Sequence, residues 1–448
     1  MPTDCNSQTI AFTPRGCRQL LAQFDGGRIT SDAGALLLRE VAGRSRLFGR
    51  MAAAVPDPRD PAMVEHDQQT MLAQRVLGIA CGWEDLNDHH GLRVDPLMQA
   101  ASERDVDEQR PLASPATLCR LENRVGRGAC VELSKLLVEL FIESFGDSPP
   151  PELVLDFDAT DDPVHGEQEG RFFHGYYDSY CFLPLYVFCG ERLLVSYLRP
   201  SNIDAAKHSR AVLKLLVDRL RQAWPGVKIT FRGDSGFCRW RLMRWCDRHD
   251  VGYVIGLARN KVLEKLGEPF LLQAKQQYEQ TKQKQRIFTT FDYAAGTWDR
   301  ARRVIHKAEH NSRGDNPRFI VTNQGEEPQA LYDRVYCARG EMENRIKEQQ
   351  LGLFAGRTSC HAFAANQFRL LLSSFAYTLI ETLRRTALAG TELARAQATT
   401  IRTKLLKIGA VVTTSFRRIV LRLSSAYPLK DLFEQAARRL LVRHVRLE

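Results

Sequence analysis

The sequence has no two cysteines three positions apart: its 11 cysteines lie scattered along 448 residues, which excludes a C-x-x-C zinc or redox motif and gives no sign of a disulfide scaffold. Met1 to Gly16 also lack the apolar core of a secretory signal, so a reduced, cytoplasmic protein is expected. The longest apolar stretch, Phe363 to Ile380, is interrupted by Asn366, Gln367 and Arg369. It falls short of the roughly 18–20 uninterrupted apolar residues of a membrane span and reads as a buried helix. No internal repeat of useful length is visible.

What is present is a large folding potential and an excess of positive charge. With 44% apolar residues, the chain can bury a large core but is too long for one compact unit, so two or three domains are expected. The formal charge of +10, spread along the chain, suits a polyanionic partner such as nucleic acid.

Residues 1–148 read as mostly helical. Ser31 to Gly34 open an apolar run, Gln69 to Ile79 repeat apolar residues at helical spacing, and Ser114-Pro115 caps a helix through Val125. That helix carries Arg120, Asn123 and Arg124 near one face, suited to DNA or equally to an ordinary solvated surface. Between Gly146 and Pro151 the periodicity breaks, and a domain boundary is expected there.

Over residues 149–260, strands at Leu153–Asp158, Tyr180–Cys189 and Arg192–Leu198 precede a helix from about Ile203 to Ala223. A strand at Val227–Arg232, a helix from Arg239 to His249 and a strand at Gly252–Leu257 follow. Three strands, then helix, strand, helix, strand is the order of a ribonuclease H-like core: an α/β fold with a mixed sheet flanked by helices. Residues 261–330 leave that alternation, with a Gln/Lys-rich helix and three strand-like pieces, and read as a β-rich insertion. The core resumes over 331–390 with a helix near Gly340. Residues 391–448 form a strongly basic C-terminal region, from Arg395 to Arg443 and Arg446.

Three acids stand out. On the strand ending at Asp158, Leu153, Leu155 and Phe157 alternate with Asp156 and Asp158, so both carboxylates lie on one side. A carboxylate on so apolar a strand needs a counter-charge, and a divalent cation is one remedy, a salt bridge the other. Either aspartate could be the ligand; the position before Ala159-Thr160 favours Asp158. Asp234 ends a second strand between Gly233 and Gly236, which lets backbone and ligand approach closely. Gly233-Asp234-Ser235-Gly236 also mimics a serine-protease nucleophile motif, but such an enzyme needs an all-β double barrel with matching His and Asp, and this alternating chain offers none. Glu343 shares a helical face with Lys347, and with Arg339 if the helix reaches back to it, which would place an acid between two cations able to hold phosphates; an ordinary i,i+4 ion pair explains Glu343 and Lys347 equally well, and Glu348 is an alternate third acid. Two strand-end aspartates and a helix glutamate are what a two-metal phosphoryl transfer requires, with two Mg²⁺ or Mn²⁺ ions suited to oxygen-only ligands.

The chain resembles the bacterial DDE transposases, and within them the insertion-sequence family numbered 1380 (transposase DDE domain group 1). The resemblance rests on Leu155 to Thr160, Val164 to Gly170, Phe231 to Phe237, Tyr336-x-x-Arg339-Gly-x-x-Glu343-Asn344, Ala365 to Leu370 and Ala376-Tyr377. It implies a ribonuclease H-like domain interrupted by a β-rich insertion, with Asp158, Asp234 and Glu343 as catalytic, metal-binding residues. A Tyr-Arg-Glu-Lys signature of related transposases is matched by Tyr336, Arg339 and Glu343, with Lys347 one helical turn on; the signature's further Lys falls on Gln350. Trp298 stands where some relatives stack a flipped base, although a Trp packed on the insertion sheet explains it as well. The function implied is binding of terminal inverted repeats, cleavage of the element ends and transfer of the 3′-OH ends to target DNA. The partner is double-stranded DNA, bound by a homodimer in the synaptic complex, and the location is the nucleoid. The alternatives are a nuclease without strand transfer and a non-catalytic repressor on the same fold.

Overall fold

The computed structural model describes residues 9–442; Arg443 and Arg446 of the basic C-terminal region lie outside them. The described residues fall into two compact units, one drawn from Met1–Arg124 and Phe375–Glu448, the other from Val125–Ser374.

The second unit is built on β1 (Glu152–Ala159), β2 (Leu185–Cys189), β3 (Arg192–Tyr197), β4 (Lys228–Gly233), β5 (Gly252–Leu257), β6 (Gln285–Tyr293), β7 (Arg302–Asn311) and β8 (Arg318–Thr322). These lie side by side in the order β3-β2-β1-β4-β5-β8-β7-β6, and a two-residue strand, Gly314–Asp315, also pairs with β7. β4 runs parallel to β1 and to β5, whereas every other neighbouring pair is antiparallel. The mixed sheet is flanked by α1 (Arg127–Glu143), α2 (Ser209–Ala223), α3 (Trp240–Arg248) and α4 (Lys261–Thr281), and α5 (Gly340–Lys347) follows the last strand.

Alternation along the strands builds two apolar layers. Leu153, Leu155 and Phe157 of β1 pack with Val138 and Phe141 of α1, Leu213, Leu216 and Leu220 of α2, and Leu242 and Met243 of α3. On the other layer Val254, Ile305 and Ile320 pack with Leu331 and Tyr332, just ahead of α5. Strands β7 and β8 contribute to both layers, through Val304, Phe319 and Val321 to one and Ile305 and Ile320 to the other. The segment read as an insertion therefore extends the core sheet by edge pairing, with β8 antiparallel to β5.

Several sequence expectations are corrected. The strand expected over Tyr180–Cys189 is interrupted at Leu183-Pro184, because proline has no N–H to donate to a ladder. Its first part, Ser179–Phe182, joins a separate three-stranded sheet with Asp162–Pro163 and Phe172–His174. The helix expected from Ile203 begins at Ser209, after a left-handed His208 at φ 69°. The break at Gly146–Pro151 is the connection from α1 to β1. Because α1 already buries Val138 and Phe141 against the sheet, the sheet unit begins at Val125.

The first unit is not helical throughout its N-terminal part. Ile10–Arg15 and Arg18–Ala22 form an exposed hairpin turning at Gly16, whose φ of 63° suits glycine. Helices Ala35–Arg44, Leu47–Ala54, Gln68–Cys81, Pro96–Ala101 and Pro115–Arg124 follow. The C-terminal segment completes this unit. Ala33 and Gly34 donate backbone N–H groups to the carbonyls of Ile408 and Leu406, each at 3.0 Å, and strand Ala410–Ser415 pairs with Ile29–Thr30. Gly34 is obligatory there, since a Cβ would lie 1.9 Å from the Leu405 carbonyl oxygen. Helix Phe363–Thr386 runs through the division between the units, and no described helix is long and apolar enough to cross a membrane.

Candidate active site

Parallel pairing of β1 with β4 sets two acids at one sheet edge. Asp156 is the register partner of Arg232, and Phe157 that of Gly233, so Asp158 and Asp234 come next along the two strands, just past their last mutual pair; Asp158 stays paired with Tyr186 of β2, and Asp234 follows the end of β4. The two aspartates of β1 meet different surroundings. Both carboxylate oxygens of Asp156 accept hydrogen bonds from the guanidinium fork of Arg232, and the pair is buried. Arg232 also donates to the carbonyl of Val335. Asp156 thus has its counter-charge within the protein.

Asp158 has no such fork. Its Oδ1 accepts from the Ala159 N–H at 2.9 Å, and the nearest cation is Arg339, whose Nη1 lies 3.5 Å from Oδ2. Burial pushes its carboxyl up from 3.8 to about 7; Arg339 opposes the rise, and the negative charges of Asp234 and Glu343 add to it. This is a carboxylate short of positive charge beside two others.

Asp234 follows β4 and caps a single 3-10 turn, Ser235–Phe237, its Oδ1 accepting from Gly236 N–H at 2.8 Å. Next to it, Gly256 of β5 makes room for Tyr336. A Cβ at Gly256 would sit 2.7 Å from the Tyr336 hydroxyl and 2.9 Å from the Ser235 nitrogen. Burial raises the Tyr336 pKa; Arg339 works against that and Asp234 with it. Glu343 is exposed on α5 and accepts from Arg339 Nη2 at 2.7 Å. Arg339 therefore links Asp158 to Glu343 through its two terminal nitrogens, and Tyr336, Arg339, Asp158, Asp234 and Glu343 form one electrostatic group.

Lys347 is exposed at the end of α5, one turn after Glu343. Glu348 is buried and bonded by Arg345 at 3.0 Å, and Gln350 donates to the Asp161 carbonyl at 3.0 Å. Trp298 is half-buried, met edge-on by Tyr293 at 5.5 Å and faced by the Arg302 guanidinium at 5.7 Å, so its ring is engaged within the sheet unit. In the other unit, Arg120 is exposed, whereas Arg124 donates to Gln68 Oε1 at 2.6 Å and pairs with Asp57 at 3.4 Å. Arg232 was missed in the sequence; it is a charge on an apolar strand, the same signal that drew attention to Asp156.

Among the described residues, no three His, Cys, Asp or Glu side chains are gathered closely enough to hold a metal ion. The donor chemistry of Asp158, Asp234 and Glu343 nevertheless fits a hard divalent cation: all three are carboxylates, and Asp158 is destabilised as an anion by burial and by the other two.

No curated protein matches. Among solved structures, it is similar to a piggyBac transposase synaptic complex with hairpin DNA, at 12% identity and a TM-score of 0.43, over 85% of this chain and 80% of that one. The family described as transposase DDE domain group 1 matches residues 12–444, nearly the whole chain, and this protein therefore belongs to the transposase DDE domain group 1 family.

Proposed function

We propose that this protein is the transposase of a bacterial insertion sequence of the family numbered 1380, which binds terminal inverted repeats, cleaves the element ends and transfers their 3′-OH ends to target DNA. The single observation that carries the reading is that Arg339 joins Asp158 to Glu343, with Asp234 near enough for its charge to help raise Asp158 to about 7. The strand order β3-β2-β1-β4-β5 supports a ribonuclease H-like core, with β6 to β8 as the insertion.

In this reading Asp158, Asp234 and Glu343 hold two Mg²⁺ or Mn²⁺ ions, which when bound activate the attacking oxygen and neutralise the leaving one. The chain's own groups do the rest. Arg339 neutralises part of the carboxylate charge in the free protein and presents guanidinium N–H groups to a phosphate. Lys347 adds a second, mobile cation one turn away. Tyr336, seated over Gly256, offers a hydroxyl beside Asp234. Asp156 plays no part in the chemistry: with Arg232 it braces β1 against β4 and against Val335. Joining two ends in one event requires a homodimer, acting in the bacterial cytoplasm at the nucleoid. Exposed Arg120 is a DNA contact, and Arg124 supports the helix that carries it.

The test is divalent-metal-dependent cleavage and strand transfer on a labelled duplex bearing the element's own end. Wild type is expected to cut and join, and Asp158→Ala, Asp234→Ala and Glu343→Ala to bind without cutting. Cutting without joining assigns a nuclease, and binding without cutting in wild type assigns a repressor.

A further inference from the structure

The basic C-terminal segment contains a feature that the proposed catalytic group does not use. No Asp or Glu stands between Glu392 and Asp431, while Lys404, Lys407, Arg417, Arg418 and Arg422 do. Lys407 is taken up inside its unit by Asp32 at 2.7 Å. The three arginines lie instead on an antiparallel hairpin, Ala410–Ser415 with Arg418–Leu423.

The register divides the hairpin into two faces. Ala410, Val412 and Thr414 pair with Leu423, Leu421 and Ile419, whereas Val411, Thr413 and Ser415 pair with Arg422, Val420 and Arg418. Ala410 and Val412 of the first set are buried and anchor the base. The second set puts Arg418 and Arg422 on the opposite face, about 14 Å apart at the rise of an antiparallel strand. Ser415 and Arg418 are the last pair, so Phe416 and Arg417 form the turn, and Phe416 is 101% exposed. A fully exposed aromatic at the tip of a cationic ribbon has no packing role within the described residues.

We propose that this hairpin is a DNA-binding ribbon that enters a groove of duplex DNA, with Arg417, Arg418 and Arg422 on phosphates and Phe416 against a base step. Its dimensions suit that use. Six pairs span about 20 Å, and a groove about 12 Å wide admits a two-stranded ribbon. An apolar side chain at the leading end is the means by which DNA-bending proteins part neighbouring bases. The charge also argues against a second copy of this chain on the open edge, since Arg418–Leu423 would bring like charges together. The inference rests on the DNA reading above but concerns a surface apart from the carboxylates.

The experiment titrates full-length protein on a fluorescent duplex across a range of salt concentrations, comparing wild type, Phe416→Ala and a triple variant, Arg417→Gln/Arg418→Gln/Arg422→Gln. Loss of three phosphate contacts should weaken binding and lower the slope of log K against log salt by about 2.7. Phe416→Ala should weaken binding by about 5- to 150-fold with the slope unchanged, and should abolish the fluorescence rise of a 2-aminopurine placed at the contacted step. Thermal unfolding coinciding with wild type shows that the exposed substitutions spare the fold; an unfolded triple variant is replaced by the three single variants. Wild-type affinity and slope in the folded variants overturn the hairpin assignment alone. A wild type that binds no duplex overturns the DNA reading with it. Binding of wild type, but not of the variants, to phosphatidylglycerol vesicles in preference to duplex overturns the proposal in favour of a membrane.

Discussion

Asp158→Asn should make the metal-free protein more stable while removing its chemistry. Folding raises the Asp158 carboxyl from 3.8 to about 7, chiefly by burial. Between those values the folded state holds more protons than the unfolded one, so stability falls as pH rises through that window. At 1.36 kcal/mol per pH unit, this carboxyl costs about 4 kcal/mol at pH 8, where it is ionised in both states, and about 2 kcal/mol at pH 5, where folding must protonate it. An asparagine has no charge to desolvate, so the variant should gain stability at both pH values, and more at pH 8. The contrasting substitution is Asp156→Asn, which deprives the buried Arg232 guanidinium of its counter-charge and should cost about 3–5 kcal/mol. The assay is urea unfolding with metal chelated, followed by emission of Trp224, Trp240, Trp245 and Trp298, all within the sheet unit. Asp158→Asn and Asp156→Asn shifting in the same direction, or an Asp158→Asn effect independent of pH, would refute the reasoning.

Arg339 is the main opposing influence on Asp158, so Arg339→Gln should move the acid limb of the cleavage profile to higher pH; an unmoved limb would detach Arg339 from that carboxylate. Gly256→Ala drives a methyl group into the Tyr336 hydroxyl and should lower both stability and cleavage, with partial recovery of stability on adding Tyr336→Phe. A double variant no more stable than Gly256→Ala would place the clash elsewhere. Lys347→Ala should weaken duplex binding and reduce the salt slope by about 1, measured by anisotropy; an unchanged slope would remove Lys347 from phosphate contact. Chelation should abolish cleavage in wild type, and added Mn²⁺ should restore it; cleavage that persists in chelator would exclude the two-metal reading.

Much of the candidate site's geometry was legible because it lies on short-range patterns. Alternation placed Asp156 and Asp158 on one side of β1, glycine spacing marked Asp234, and helical spacing joined Arg339, Glu343 and Lys347. The β-rich character of residues 285–322 was legible for the same reason, since β-branched and aromatic residues alternate there. Other features are long-range and were not. The N-terminal hairpin was missed because a short exposed ribbon buries nothing and so leaves no periodicity to detect. The break at Pro184 was overlooked because apolar residues continue on both sides of it. A tail described only as basic contains a hairpin because Ala410–Ser415 finds Ile29–Thr30, almost the whole length of the chain away.

The sequence by itself determined which residues are acidic, which lie on strands and which side of each strand they occupy, because these follow from local spacing and burial of apolar groups. It did not decide between Asp156 and Asp158. Only the tertiary structure distinguishes them, by pairing β1 in register with β4: that register sets Arg232 against Asp156 and neutralises it. Asp158, two residues further on, lies past the last β1–β4 pair and stands beside Asp234 with Arg339 as its nearest cation. Counter-charge is a property of the fold, and two aspartates two residues apart acquire different chemistry from the neighbours that the fold brings to each.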